Sequence, residues 1–242
     1  MTLSKRLTPT HHLTRFDEIV TSHQAKYLAG GSAQNTVRGA QSLLPPHSTV
    51  YFGCVGVDTY ARTLRAAARR DGLYTIYAEN RELPTGRCAV LITPNARSLV
   101  AQLGAANAYK VDHFNHPAHR PLFDAASIFY FSCFHLTSSP GSIMLMAQHV
   151  AEHAESKTLV MNLGAVFLCE FYRETMIKIV PYADILFCNE AEAQAFAVNN
   201  HIPVLFFFFF FFASRRRGQC ADAWASLRVW RTLARRLRRT KR

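Results

Sequence analysis

Apolar and polar positions alternate between two spacings along residues 16–200. Val50–Cys54 is a short β-branched apolar run, and Thr59–Arg70 shows helical composition. Asp58 stands where a helix cap belongs, and Asp71-Gly72 where a helix ends. Before them, Gly30-Gly31 leads into a helix expected over Ser32–Leu43, with Ser32 in the capping position. Leu73–Ala78 and Arg87–Thr93 alternate as half-buried strands do. Further strands are predicted at Ser127–Cys133, Thr158–Asn162 and Ala183–Cys188. Helices are predicted at Pro140–Glu155, which starts on a proline, and at Phe171–Val180 and Glu190–Ala197.

Strands that alternate with helices in this way predict an α/β fold, a parallel sheet with helices on both faces. Ligands of such sheets sit at the carboxyl ends of the strands. That directs attention to Gly53–Asp58, Cys133–Pro140, Asn162–Phe167 and Cys188–Glu192. No fixed-period repeat is present.

Composition then narrows the picture. The 242 residues are 49% hydrophobic and 18% charged, enough to pack one sizeable core. No apolar stretch reaches the ~18–20 residues of a membrane span, and Met1–Thr14 lacks the apolar core of a secretory signal. The six cysteines stand singly, without a Cys-x-x-Cys pair, so neither a disulfide framework nor a zinc-finger spacing is seen and a reducing cytoplasm is expected.

The net charge of +12 first suggests a nucleic-acid partner. Its distribution removes that reading. From Phe206 onward there are eleven Lys/Arg and a single acid, Asp222, leaving 17 basic and 15 acidic groups in residues 1–205. Seven consecutive phenylalanines, Phe206–Phe212, open this tail, and an Arg/Ala/Leu-rich stretch follows. Leu227, Trp230, Leu233 and Leu237 have the spacing of a basic surface helix. Low-complexity sequence cannot specify a packed core, however, so 201–242 is read as foreign to the domain and nucleic-acid binding is not expected. Residues 1–15 are read as an irregular N-terminus.

Six segments in order carry a resemblance. They are Tyr27-Leu28-Ala29-Gly30-Gly31-Ser32-Ala33-Gln34-Asn35, Tyr51–Asp58, Leu83–Cys88 with Asn95–Leu99, Phe134–Pro140, Phe171–Glu174, and Val180–Glu192, which contains Asn189-x-x-Glu192. Together they resemble the adenosine kinases of the ribokinase-type carbohydrate and purine kinase family. The resemblance implies a ribokinase-like sheet over 16–200, incomplete here, with part of a small β lid at about 73–103. It also implies transfer of phosphate from ATP to the 5′-hydroxyl of adenosine, giving AMP, with Mg2+ bridging the phosphates.

By the same resemblance, Gly30, Gly31, Ser32 and Asn35 bind the ribose. Glycines allow close backbone approach, and an amide both donates to and accepts from hydroxyls. Phe134 is matched to a residue stacked on adenine, with Cys88 and Tyr172 at the substrate's margin. Arg97 is matched to a residue that offsets phosphate charge, and Asn189 with Glu192 to a motif that organises magnesium through water. Taken without the resemblance, the same residues are a helix N-terminus, core or packing residues, a solvated arginine and a helix cap. His113, His116 and His119, three apart around Pro117, read as a polar connecting loop rather than a metal site.

Two family elements do not occur in these 242 residues. No Gly-Asn-Pro-x-x-Asp strand end precedes Phe16, and no Asp-Thr-x-Gly-Ala-Gly-Asp follows. The latter supplies the anion hole and the base that deprotonates the attacking hydroxyl. No catalytic residue is therefore assigned, and the polypeptide is expected to bind adenosine weakly and to transfer phosphate poorly or not at all. The alternatives are a non-catalytic partner of an intact kinase or a related carbohydrate kinase, and the chain itself is expected to be a monomer or prone to aggregate.

Overall fold

The computed structural model describes residues 25–94 and 96–202, without the side chains of Ala96 and Arg97. The expected irregular N-terminus and the phenylalanine-rich tail lie outside the described residues. The chain divides into two compact units, at Tyr109/Lys110.

In the first unit, helix α1 (Ser32–Gln41) precedes strand β1 (Val50–Gly56), helix α2 (Thr59–Arg70) and strand β2 (Tyr74–Asn80). β1 and β2 pair in parallel, Val50 opposite Tyr74 through Gly56 opposite Asn80. Asp58 caps α2 as its sequence position predicts, its carboxylate accepting from the Ala61 N–H at 2.8 Å. Gly72, at φ +74, lets the chain turn back after the helix. Inside the segment expected to hold the lid, β2 belongs to the parallel pair. Strands β3 (Arg87–Thr93) and β4 (Ala96–Gln102) form a separate antiparallel ribbon, Arg87 opposite Gln102 at its root and Thr93 opposite Ala96 at its tip. A 3-10 turn, Gly104–Ala108, follows.

Three glycines fix the root of that ribbon. A Cβ on Gly56 would lie 2.7 Å from both the Leu83 carbonyl oxygen and the Thr85 nitrogen, and one on Gly86 would lie 2.7 Å from the Leu103 carbonyl oxygen. At Gly104, with φ +49, a Cβ would come within 2.2 Å of the Pro84 carbonyl oxygen, the same oxygen that accepts from the Ala105 N–H at 2.8 Å. Backbone thus lies directly on backbone here, which only glycine permits.

The second unit opens with short helical turns, α3 (Val111–Phe114), a 3-10 turn at Pro117–His119 and α4 (Arg120–Ala125), where the sequence suggested a loop. Strands β5 (Ile128–Ser132), β6 (Thr158–Asn162) and β7 (Ile185–Phe187) make a three-stranded parallel sheet in the order β5-β6-β7. α5 (Pro140–Glu152) connects the first two strands. α6 (Val166–Phe171) and α7 (Arg173–Ile179) connect the second pair, and α8 (Glu190–Asn199) follows β7. The segment read as one helix over 171–180 is thus broken at Tyr172.

Phe129, Phe131, Leu159 and Met161 from the sheet pack with Ile143, Val150, Leu168, Met176 and Phe196 from the helices in one buried cluster. These wholly apolar strand centres follow from a parallel sheet covered by helices. The α/β class expected from the sequence is therefore present, and its described strands form two parallel sheets and one antiparallel ribbon.

Candidate functional site

Gly30, Gly31, Ser32 and Asn35 come together at the start of α1, all of them exposed. The cap of α1 is Gly31 rather than Ser32. Gly31 takes φ +114, a conformation closed to most side chains, and among the described residues no side chain caps the helix; Ser32 is already its first residue. The Asn35 N–H donates to the Gly31 carbonyl at 2.8 Å, so the asparagine sits one turn above the glycine. Arg38 anchors this helix from behind. Its guanidinium donates to Asp71 at 2.6 Å and to the Ala29 carbonyl at 3.1 Å, which fixes the strand of chain entering the Gly-Gly turn.

The first unit also holds a partly buried polar knot. The Asp58 carboxylate accepts from the Thr85 N–H at 2.7 Å and the Thr85 hydroxyl at 2.8 Å, and the same hydroxyl accepts from the Gly56 N–H at 3.0 Å. Burial works against the charged form of Asp58, yet the hydrogen bonds from Thr85 and Ala61 outweigh it and hold the carboxyl below its ordinary pKa. Cys88 is exposed on β3 opposite Ala101; desolvation raises its thiol pKa, offset in part by a hydrogen bond at the Val100 backbone. Arg97 pairs with Ile92 through the β4 backbone; its side chain lies outside the described residues.

In the second unit the sheet's carboxyl end gathers the other candidates. Phe134 lies in the 3-10 turn Cys133–Thr137 directly after β5, 39% exposed, with its ring 6.1 Å from that of Phe167. Gly164 is the residue sequence reasoning missed. At φ +82 it brings bare backbone under the Phe134 ring, and a Cβ there would stand 3.1 Å from it. The available signal was a glycine two residues beyond a buried strand. Tyr172 is half-buried at the break between α6 and α7, packed against the core.

Asn189 and Glu192 form a reciprocal capping box at the start of α8. The Glu192 N–H donates to the Asn189 side-chain oxygen at 2.8 Å, while the Glu192 carboxylate accepts from the Asn189 backbone N–H at 3.2 Å and its Nδ2 at 2.8 Å. Glu192 is buried, at 7% exposure, with the Cys133, Cys169 and Cys188 thiols around it. Burial first and the Glu192 charge second push Cys169 up to about 11 and Cys188 up to about 12, with smaller contributions from Glu170 on Cys169 and from Cys169 on Cys188, so these thiols stay protonated. With every carboxylate oxygen already holding the cap, the donor set suits a cation reached through water better than one bound directly.

His135 follows Phe134, and burial lowers its imidazole to about 4. His113, His116 and His119 do approach one another, with ring centroids 5.1 and 5.3 Å from that of His119. Two of their ring nitrogens are engaged by backbone, however. His119 Nδ1 donates to the His113 carbonyl, and His116 Nδ1 accepts from the Ala118 N–H.

Residues 5–204 match the pfkB family carbohydrate kinase profile, and the chain belongs to that family. Among its relatives, adenosine kinase 2 of Arabidopsis thaliana is 41% identical over 187 residues, 77% of this chain and 54% of the relative. Adenosine kinase of Saccharomyces cerevisiae is 41% identical over 181 residues, 75% of this chain and 52% of the relative. The chain therefore spans about half the length of the curated relatives it matches. The crystal structure of Anopheles gambiae adenosine kinase superposes with a TM-score of 0.77 at 39% identity, covering 80% of this chain and 58% of that one. Schistosoma mansoni adenosine kinase in complex with 2-fluoroadenosine gives 0.76 at 30% identity, covering 81% of this chain and 57% of that one.

Proposed function

We propose that this chain carries the nucleoside-binding part of an adenosine kinase. In the whole enzyme this part presents adenosine for transfer of the terminal phosphoryl group of ATP to its 5′-hydroxyl, giving AMP for purine salvage in the cytoplasm. The observation that carries the reading is the Gly30-Gly31 turn. A positive φ at Gly31 and a helix start without a side-chain cap leave room for a ribose beside the exposed Asn35 amide. The adenosine kinase relatives named above support adenosine over other acceptors.

In this reading Gly30, Gly31 and Ser32 admit the sugar, Asn35 orients its hydroxyls, and Phe134 stacks on the base, supported from below by Gly164. Cys88 and Tyr172 flank the substrate. Arg97 offsets phosphate charge, and Asn189 with Glu192 hold water around the metal. Mg2+, when bound with ATP, shields the charge on the phosphates. The 242 residues contain no Gly-Ala-Gly-Asp to remove the hydroxyl proton, so the polypeptide alone binds nucleoside without turning it over.

Calorimetric titration of the 242-residue chain with adenosine, ribose and fructose, alongside a radiolabelled-ATP assay with magnesium, tests this. Adenosine binding that Asn35→Ala weakens at least about tenfold, with no AMP formed, is expected. Binding of a sugar but not adenosine would favour a different carbohydrate kinase. Magnesium-dependent AMP formation by the purified chain would overturn the inactivity.

A further inference from the structure

At the opposite end of the second unit's sheet from Phe134 and Asn189, a further cluster has no part in the kinase reading. We propose that His149, Glu152 and His153 form a binding site for one Zn2+ ion at the C-terminus of α5. One donor atom from each of the three lies within 4.8 Å of the others. Histidines four apart share a helix face, and Glu152 falls between them on the same side. The His-x-x-Glu-His spacing also occurs in zinc-binding helices of other proteins.

Hydrogen bonds prepare both imidazoles. His153 Nδ1 donates to the His149 carbonyl at 2.8 Å, leaving the Nε2 lone pair free for a metal. His149 Nε2 lies 3.4 Å from the Phe123 carbonyl, and a proton shared there leaves the Nδ1 lone pair. Phe123 and Phe129 meet the His149 ring edge-on, with centroids 6.1 and 5.6 Å away, so the ring has little freedom to turn. The rings of His149 and His153 are already 4.7 Å apart. Tetrahedral zinc with ligands at about 2.0–2.2 Å needs donor separations near 3.4 Å. Glu152 and His153 are exposed and can close that gap by side-chain rotation, and solvent supplies the fourth ligand.

Electrostatics work in both directions. The C-terminal end of a helix favours a cation. Against it stand the Lys157 ammonium and the Arg120 guanidinium, which face His149. Both are engaged elsewhere: Lys157 donates to the Phe123, Asp124 and Ala126 carbonyls at 2.7–3.0 Å, and Arg120 pairs with Asp124 at 3.2 Å. Two nitrogens and one carboxylate suit zinc over magnesium or calcium, which prefer all-oxygen sites. The His113, His116 and His119 group is the weaker candidate, because two of its ring nitrogens are engaged by backbone.

The test is Zn2+ titration of the full 242-residue chain by calorimetry, with Co2+ absorption as a second readout. One equivalent is expected for the wild-type chain and for His116→Gln. His153→Gln and Glu152→Gln, both at exposed positions, should weaken it at least about tenfold without lowering the melting temperature of the metal-free protein. Bound Co2+ should show d–d bands without thiolate charge transfer. Failure of the wild-type chain to bind, unchanged binding in both variants, loss with His116→Gln instead, or a thiolate band would each overturn the proposal.

Discussion

The two units reach a defined structure by different means. The second is built on large apolar side chains, with Phe196, Met161, Leu159 and Met176 fully buried between sheet and helices. In the first, Ala61, Ala67, Ala68 and Ala105 make up much of the buried set, and Val90, Leu91, Ile92 and Leu99 of the ribbon remain exposed. Definition there comes instead from backbone contact at glycines and from the polar knot of Asp58, Thr85 and Gly56. An apolar core distributes its stabilisation over many contacts, whereas a knot of this kind concentrates it in a few groups.

That contrast can be tested by substitution, with segment-resolved hydrogen exchange reporting each unit separately. Phe196→Ala should cost about 3–5 kcal/mol, read as lost protection throughout β5, β6 and α5. In the first unit Gly104→Ala should cost about 3 kcal/mol although it adds only a methyl group, because the Cβ meets the Pro84 carbonyl and φ is positive. Equal tolerance of alanine at Gly104 and at Gly39, whose Cβ would meet nothing within 4 Å, would refute the backbone-contact account.

Acid should act on the second unit through His135. Its folded pKa of about 4 lies below the ordinary 6.5, so protonation favours the unfolded chain. Stability is then fully present above about pH 6.5 and falls by roughly 2–3 kcal/mol as the pH drops towards about 4. His135→Asn should flatten that part of a denaturation-versus-pH curve.

Asp58→Asn should cost about 1–2 kcal/mol in the first unit, since an amide puts a donor against the Thr85 N–H. The advantage of aspartate is present above the ordinary carboxylate range and disappears as the pH falls through the lowered Asp58 pKa. The smallest effect is expected at Tyr77. Among the described residues its buried hydroxyl has no well-formed hydrogen bond; the Gln34 carboxamide, whose Nε2 is likewise buried without a partner, lies close enough to interact with it only weakly. Tyr77→Phe should therefore change stability by no more than about 0.5 kcal/mol, or raise it. A loss of several kcal/mol would show that the hydroxyl has a partner after all.

Much of this architecture was legible in the sequence where local chemistry decides the outcome. Asp58 caps α2, Gly72 ends the turn after it, Pro140 opens α5, and Arg87–Thr93 and Thr158–Asn162 are strands with the expected bounds. Reading failed where tertiary contact decides. Ser32 looked like a cap, but the Gly31 conformation starts the helix one residue earlier. The turns of residues 104–125 have too few residues each for a hydrophobic period to show. At the candidate site, Asn189 and Glu192 were legible as a pair. Their capping box is local, but the Cys133 and Cys169 thiols around Glu192 come from the turn after β5 and from α6, which no local pattern reveals. Gly164 escaped notice because its role is defined by a ring thirty residues earlier in the chain.

The clamped segment Leu83–Gly86 has a mechanical consequence. Gly56 presses it from one side and Leu103–Ala105 from the other, and Asp58 pins Thr85 between them. The β3–β4 ribbon is thus a cantilever, built in at Arg87 and Gln102, where the guanidinium also grips the Gln102 side-chain oxygen at 2.8 Å, with its far end at Thr93 and Ala96. Load applied at the tip produces its greatest bending moment at the wall, where the chain is least able to yield. Deflection must be spread along the ladder, and amide exchange should quicken steadily from root to tip.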